Sequence, residues 1–131
     1  MSAPSVDIKD MLVAGSSPAL TFKKDLFIGA EPDIPNNCVT IYDTPGGPPQ
    51  LTMDATEEYE YKSAQVRVRD IDYQTGWNLA NEIKTSLHGR AGETWNGTLY
   101  TVIMVTNGPF FLKWDENHRV IFIINLNLQR R

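Results

Sequence analysis

The run Cys38-Val39-Thr40-Ile41-Tyr42-Asp43-Thr44-Pro45-Gly46-Gly47-Pro48-Pro49 limits the fold more than any other part of the chain. Val, Thr, Ile and Tyr suit a pleated, half-buried surface, so residues 39–42 are expected to form a strand. Pro45, Pro48 and Pro49 each lack a backbone donor and fix φ, while Gly46 and Gly47 open positive φ. No helix and no central strand absorbs such a cluster. The strand must end in a shaped loop standing off the sheet. That loop carries no nucleophile, no unusual general base and no metal-ligand cluster, and it suits contact with a partner better than chemistry.

At 131 residues the chain is long enough to bury a sizeable core, and residues 1–131 are read as a single domain. The longest apolar runs, such as Val120 to Ile124, fall far short of the ~20 residues that span a bilayer, so no membrane partner is expected. Met1-Ser2-Ala3-Pro4 has neither the basic region nor the apolar core of a secretory signal. The single cysteine, Cys38, excludes an internal disulfide, and its apolar neighbours suit a small core hydrophobe. A net charge of −4 argues against a dedicated nucleic-acid binder. Counterion release needs clustered cations, whereas the densest groups here are Lys23-Lys24, Arg67 with Arg69, and Arg130-Arg131.

Ser5 is expected to cap a first helix over residues 6–14, with Asp7 in its first turn and Ile8, Met11 and Leu12 on one face. Residues 19–22 and 26–30 are expected to form a hairpin around Lys23-Lys24-Asp25. Residues 31–37 must be loop, and residues 50–61 read equally as a helical turn or as the acidic entry to a strand. Ala64, Val66 and Val68 then alternate with Gln65, Arg67 and Arg69, the period-two pattern of a half-buried strand. Asp72 caps a second helix through about His88, whose stripe is Tyr73, Trp77, Ala80, Ile83 and Leu87, with Gly89 just past its end.

Asn96-Gly97 and Asn107-Gly108 signal turns, separating a strand over 99–105 from one over 110–114. Val120, Phe122, Ile124, Leu126 and Leu128 share one face of a closing strand. Its other face changes from Ile121 and Ile123 to Asn125 and Asn127, as if the strand outran its cover. The order gives an α+β fold: a largely antiparallel sheet with one or two helices packed on one face.

No catalytic constellation emerges. His88 belongs to the last turn of a helix and His118 to a charged turn, and no serine, zinc or calcium motif is present. No cofactor, metal or enzymatic activity is expected. A small hydrolase using Asp43 with His88 or His118 is one alternative, and a nucleic-acid module using Arg67, Arg69 and Trp95 is another. Trp77 belongs to the core stripe, while Trp95 beside a turn and Trp114 at a strand end are candidate interface anchors. The acidic group Asp54, Glu57, Glu58 and Glu60 reads as a solvated face.

Three stretches resemble the tail terminator and minor capsid family of long-tailed bacteriophages. They are the strand and loop Val39 to Pro49 preceded by Asp33-Ile34-Pro35-Asn36-Asn37, the segment Val66-Arg67-Val68-Arg69 with Tyr73 opening a helix, and the closing strand Phe122 to Leu128. The resemblance covers roughly residues 31–128. It implies a protein that forms a ring, usually a hexamer, on the end of a tail tube, stops tube growth and docks the tail to the head connector. A head-completion role in the same particle is the alternative. The partners implied are further copies of the chain, the tail tube protein and the head connector protein, with DNA passing through the bore without specific binding. The place implied is the head–tail junction of a virion assembled in the host cytoplasm. On this reading the subunit or partner interface comprises Asp43, Thr44, Pro45, Gly46, Gly47, Pro48, Pro49, Gln50, Arg67, Arg69, Trp95 and Trp114.

Overall fold

Two strands with alternating side chains form the middle of the sheet. In the computed structural model, which describes residues 2–46, 50–51 and 58–131, β4 (Glu58–Asp70) pairs antiparallel with the last strand, Val120–Arg130, from Glu60↔Arg130 to Asp70↔Val120. In chain order the others are β1 (Leu26–Ile28), β2 (Cys38–Thr44), β3 (Gln50–Leu51), β5 (Glu93–Trp95) and β6 (Thr98–Trp114), so the last strand is β7. The sheet runs β1-β2-β4-β7-β6-β5, with β3 on the start of β4. Among the named strands of the described residues only the β1–β2 pairing is parallel, and an isolated parallel bridge joins Phe22 to Leu26.

Helices α1 (Pro4–Ala14) and α2 (Tyr73–Leu87) cover one face. Ile8, Met11, Leu12, Ala80, Ile83 and Leu87 meet Val39, Ile41, Val66, Val68, Phe122 and Ile124 in a single core. The α+β expectation therefore holds. The closing strand follows its pattern, since Ile121 and Ile123 are buried on the second face, Asn125 is half-buried and Asn127 is exposed.

The Asp72 carboxylate caps α2 by accepting from the Thr75 N–H at 2.8 Å and its hydroxyl at 2.6 Å, and Gly89 takes φ 85° just beyond the helix. Ala80, Ile83 and Leu87 are buried and Trp77 packs against the core, but Tyr73 is 46% exposed. The stripe thus leaves the core at its first residue.

Three expectations are corrected. Helix α1 begins at Pro4 and Ser5 lies inside it, so Ser5 is not the cap. Its backbone N–H and hydroxyl donate instead to Asp43, at 2.9 and 2.7 Å. The hairpin around Lys23-Lys24-Asp25 is absent: Lys23 sits at φ 68° in a tight turn closed by the Thr21 N–H on Asp25 Oδ1 at 2.7 Å, and β1 runs parallel beside β2.

Asn107-Gly108 does not turn the chain either. Strand β6 continues through it with register shifts, both flanks paired to β7, and Gly108 takes φ 103°. A second strand was already present for both halves of β6, so the glycine makes a bulge. Asn96-Gly97 behaves as expected, with φ 50° and 78° between β5 and β6.

Asp70 ends β4 with its carboxylate buried, accepting the Asp72 N–H at 2.8 Å. Burial pushes this carboxyl above its ordinary value. Above about pH 4 the folded protein therefore retains a proton that the unfolded chain has released. This contribution to stability is complete below the unfolded-state value and is lost as pH rises through the folded one. Asp70→Asn is expected to remove that decline from a plot of melting temperature against pH.

Candidate assembly interface

The strand-to-loop junction at the end of β2 ties the sheet to α1. Asp43 faces the helices, and its two carboxylate oxygens take the Ser5 N–H and hydroxyl, which makes it a cap supplied from outside the helix. Asp43→Ala is expected to cost about 1 kcal/mol in chemical denaturation. Thr44 pairs with Ser63. At Gly46 a side chain has no room, because a Cβ would enter the backbone of Tyr61 and Lys62. Gln50 pairs with Tyr59 in β3. Gly47, Pro48, Pro49 and the acidic residues 54–57 lie outside the described residues. Beside the junction, on the helix-free face, a groove of about 620 Å³ is lined by Pro45, Gly46, Tyr61, Met104, Asn127 and Gln129, among others.

Arg67 and Arg69 project from one strand face but differ in surroundings. Arg69 is 3% exposed, with its guanidinium bound to Glu31 at 2.9 Å and to the carbonyls of Pro32, Pro35 and Asn36. Arg119, also buried, donates to the Asp33 carbonyl at 2.6 Å and pairs with Asp115 at 2.7 Å. These two arginines hold the 31–37 loop in shape, and Ile34 stands out from it at 81% exposure. Arg69 is therefore corrected from a free partner-seeking charge to an internal clamp. Arg67 is half-buried, donates to Gln65 at 3.0 Å and lies over the Tyr42 ring at 5.4 Å.

Trp95 packs partly against the core and donates to Glu93 at 2.9 Å. Trp114 is 47% exposed at the end of β6, with its ring 6.2 Å from that of Tyr73. It belongs to an aromatic group whose other members are Tyr73, Phe111, Phe122 and Trp77. Next to it Phe110, Phe111 and Leu112 are 38–43% exposed. The sequence reading missed these three, although three adjacent apolar residues between turn signals were visible in it.

Strand β6 is also the least covered margin of the sheet. Strand β5 pairs only with Thr98–Tyr100. The segment after α2 continues the cover: Gly89 N–H donates to Ile103 O, Ile103 N–H to Arg90 O, and Val105 N–H to His88 Nδ1 at 3.0 Å. His88, at the end of the helix as expected, thus accepts from Val105 and serves as a plug on a strand edge. From Thr106 to Trp114, no backbone hydrogen bond covers the outer side among the described residues. An uncovered apolar edge is a ready site for another chain.

The hydrolase alternative loses its geometry. Asp43 sits in the row of Ala64, whereas His118 lies beyond the row of Asp70, six residues or about 20 Å along β4. Val105, which binds His88, stands in the Asp43 row but three strands away, about 14 Å. Among the described residues no group of three His, Cys, Asp or Glu could hold a metal ion.

A family model described as "Bacteriophage tail terminator protein" matches residues 15–131. No curated protein matches the chain. Among solved structures, a chain of "Virion of native gene transfer agent (GTA) particle" superposes with a TM-score of 0.61 at 14% identity, covering 98% of this chain and 96% of that one. At that identity the likeness shows a shared fold. With the family matched over nearly its whole length, the chain belongs to the bacteriophage tail terminator proteins and is a structural protein of the phage tail.

Proposed function

We propose that copies of this chain close into a ring, in the manner of a hexamer, which caps the tail tube, ends its polymerisation and presents a surface to the head connector. The observation that carries this reading is the uncovered outer side of β6 from Thr106 to Trp114, with Phe110, Phe111, Leu112 and Trp114 exposed along it. A rotationally closed assembly joins two different surfaces of the same subunit, and such an edge supplies one of them. The 43–50 loop and Arg67 add contacts at a subunit or tube junction. With a net charge of −4, the subunits favour a bore that DNA crosses without adhering. The place proposed is the head–tail junction of the virion.

The test is tube growth. Purified tail tube protein is polymerised with and without this chain, and lengths are measured by electron microscopy. Addition of the chain is expected to arrest growth and to leave extra density at one tube end. Unchanged lengths with bare ends contradict the proposal.

A further inference from the structure

We infer that the 31–37 loop is the surface that docks toward the head: Ile34, with Ile71 beside it, enters an apolar socket of the connector whose rim carries Lys or Arg. This rests on the ring reading above, with the 43–50 loop turned to the tube. Strand β2 joins the two loops. Its first residue, Cys38, pairs with Arg69 and its last, Thr44, with Ser63, six residues or about 20 Å apart along β4. The loops therefore stand at opposite ends of the strands, and with one at the tube the other points to the head side. The 31–37 loop also sits at the ends of β4 and β7, the middle strands, away from the β6 margin that the ring uses.

The loop is held so that one apolar side chain stands clear of it. Arg69 donates to the carbonyls of Pro32, Pro35 and Asn36 at 2.5, 2.7 and 3.1 Å, and Arg119 to that of Asp33 at 2.6 Å. Both guanidiniums are buried, so the loop backbone is fixed from within. Ile34 is the most exposed large apolar residue among those described, at 81%, and Ile71 is 56% exposed. The Ile71 N–H donates to the Asn37 side chain at 3.1 Å, which places it on the same surface. A tip fixed in advance loses little ordering entropy on docking, and repetition round a ring strengthens a contact that is small in each copy. Charge selects the occupant. Across the loop, residues 71–72 and the 115–119 turn, the exposed acids are Asp33, Asp72 and Glu116, with no exposed Lys or Arg. Cations round the socket complement such a surface. A second copy of the chain fits poorly, since its net charge is −4 and Arg69, Arg119 and Arg130 are buried in internal ion pairs.

The experiment mixes tail tubes capped by the full chain with heads that carry the connector, and counts joined particles by electron microscopy. Ile34→Lys is the test variant and Ile34→Leu its control; at 81% exposure neither is expected to move the melting temperature. Ile34→Lys is expected to form rings and arrest tube growth as the parent does, yet to lower joining roughly tenfold or more, because a lysine cannot fill an apolar socket ringed by like charge. Ile34→Leu is expected to join like the parent. Joining by Ile34→Lys at the parent's level overturns the inference and leaves the ring standing. Loss of ring formation in Ile34→Lys overturns it too, by making the loop a subunit contact, and loss of tube arrest does so by making it a tube contact. A parent protein that neither forms rings nor arrests tubes overturns the ring reading itself. As a second readout, Glu116→Lys is expected to lower joining several-fold at low salt; unchanged or improved joining contradicts the basic rim.

Discussion

Arg130→Ala is expected to destabilise the protein by about 3–5 kcal/mol, as befits removal of one partner from a buried ion network. Arg130 is 4% exposed and Asp7 is fully buried. The guanidinium donates to Glu60 at 2.9 Å, to the Ser2 carbonyl at 2.7 Å and to the Tyr100 hydroxyl at 3.2 Å, and lies 3.6 Å from Asp7. Asp7 also accepts from Asn96 at 2.6 Å and from the Tyr100 hydroxyl. Burial and the neighbouring Asp7 carboxylate push the Tyr100 phenol far above its ordinary value, so it remains a donor throughout the working pH range.

Truncation of Arg130 leaves the Asp7 charge buried without its cation, and it unties the N-terminal segment, β4 and β7 at once. The check is urea denaturation of Arg130→Ala beside the double variant Asp7→Asn, Arg130→Met. The double variant is expected to recover part of the loss, because no unpaired charge remains. A loss below 1 kcal/mol for Arg130→Ala contradicts the account of this network.

The second large effect is expected at Gly108. Gly108→Val should cost about 3 kcal/mol, from a side chain forced into positive φ and from overpacking against neighbouring backbone. The residue takes φ 103°, and a Cβ there would enter the backbone of Ile123 and Ile124. Neither obstacle is a flexible side-chain end, so β6 and β7 must part locally. For a chain of this size the melting temperature should fall on the order of 10 °C. Thermal unfolding followed by circular dichroism measures it. The bulge at Gly108 lies two residues before Phe110, so the variant should also misplace the exposed apolar edge and lower assembly even where the monomer remains folded.

Much of the fold was legible because alternation and caps are local signals. The Ala64, Val66, Val68 pattern, the Asp72 cap with Gly89, and the Asn96-Gly97 turn each act within a few residues. The failures came where a distant group decided the outcome. Ser5 found Asp43 across 38 positions. Asn107-Gly108 became a bulge because β7 already paired with both flanks. The Lys23 turn left β1 to join β2, which no local pattern encodes. Of the candidate interface residues, Trp114 was visible as an aromatic at a strand end, and it is exposed there. The His88 plug and the Arg69 clamp depend on tertiary neighbours, so composition and spacing could not announce them.

Native mass spectrometry of the purified chain over a range of concentrations, beside a Phe110→Ser, Trp114→Ser variant, tests the account most directly. The account predicts a single closed multimer for the parent protein and a folded monomer for the variant. A parent protein that stays strictly monomeric at high concentration, with and without tail tubes, contradicts it.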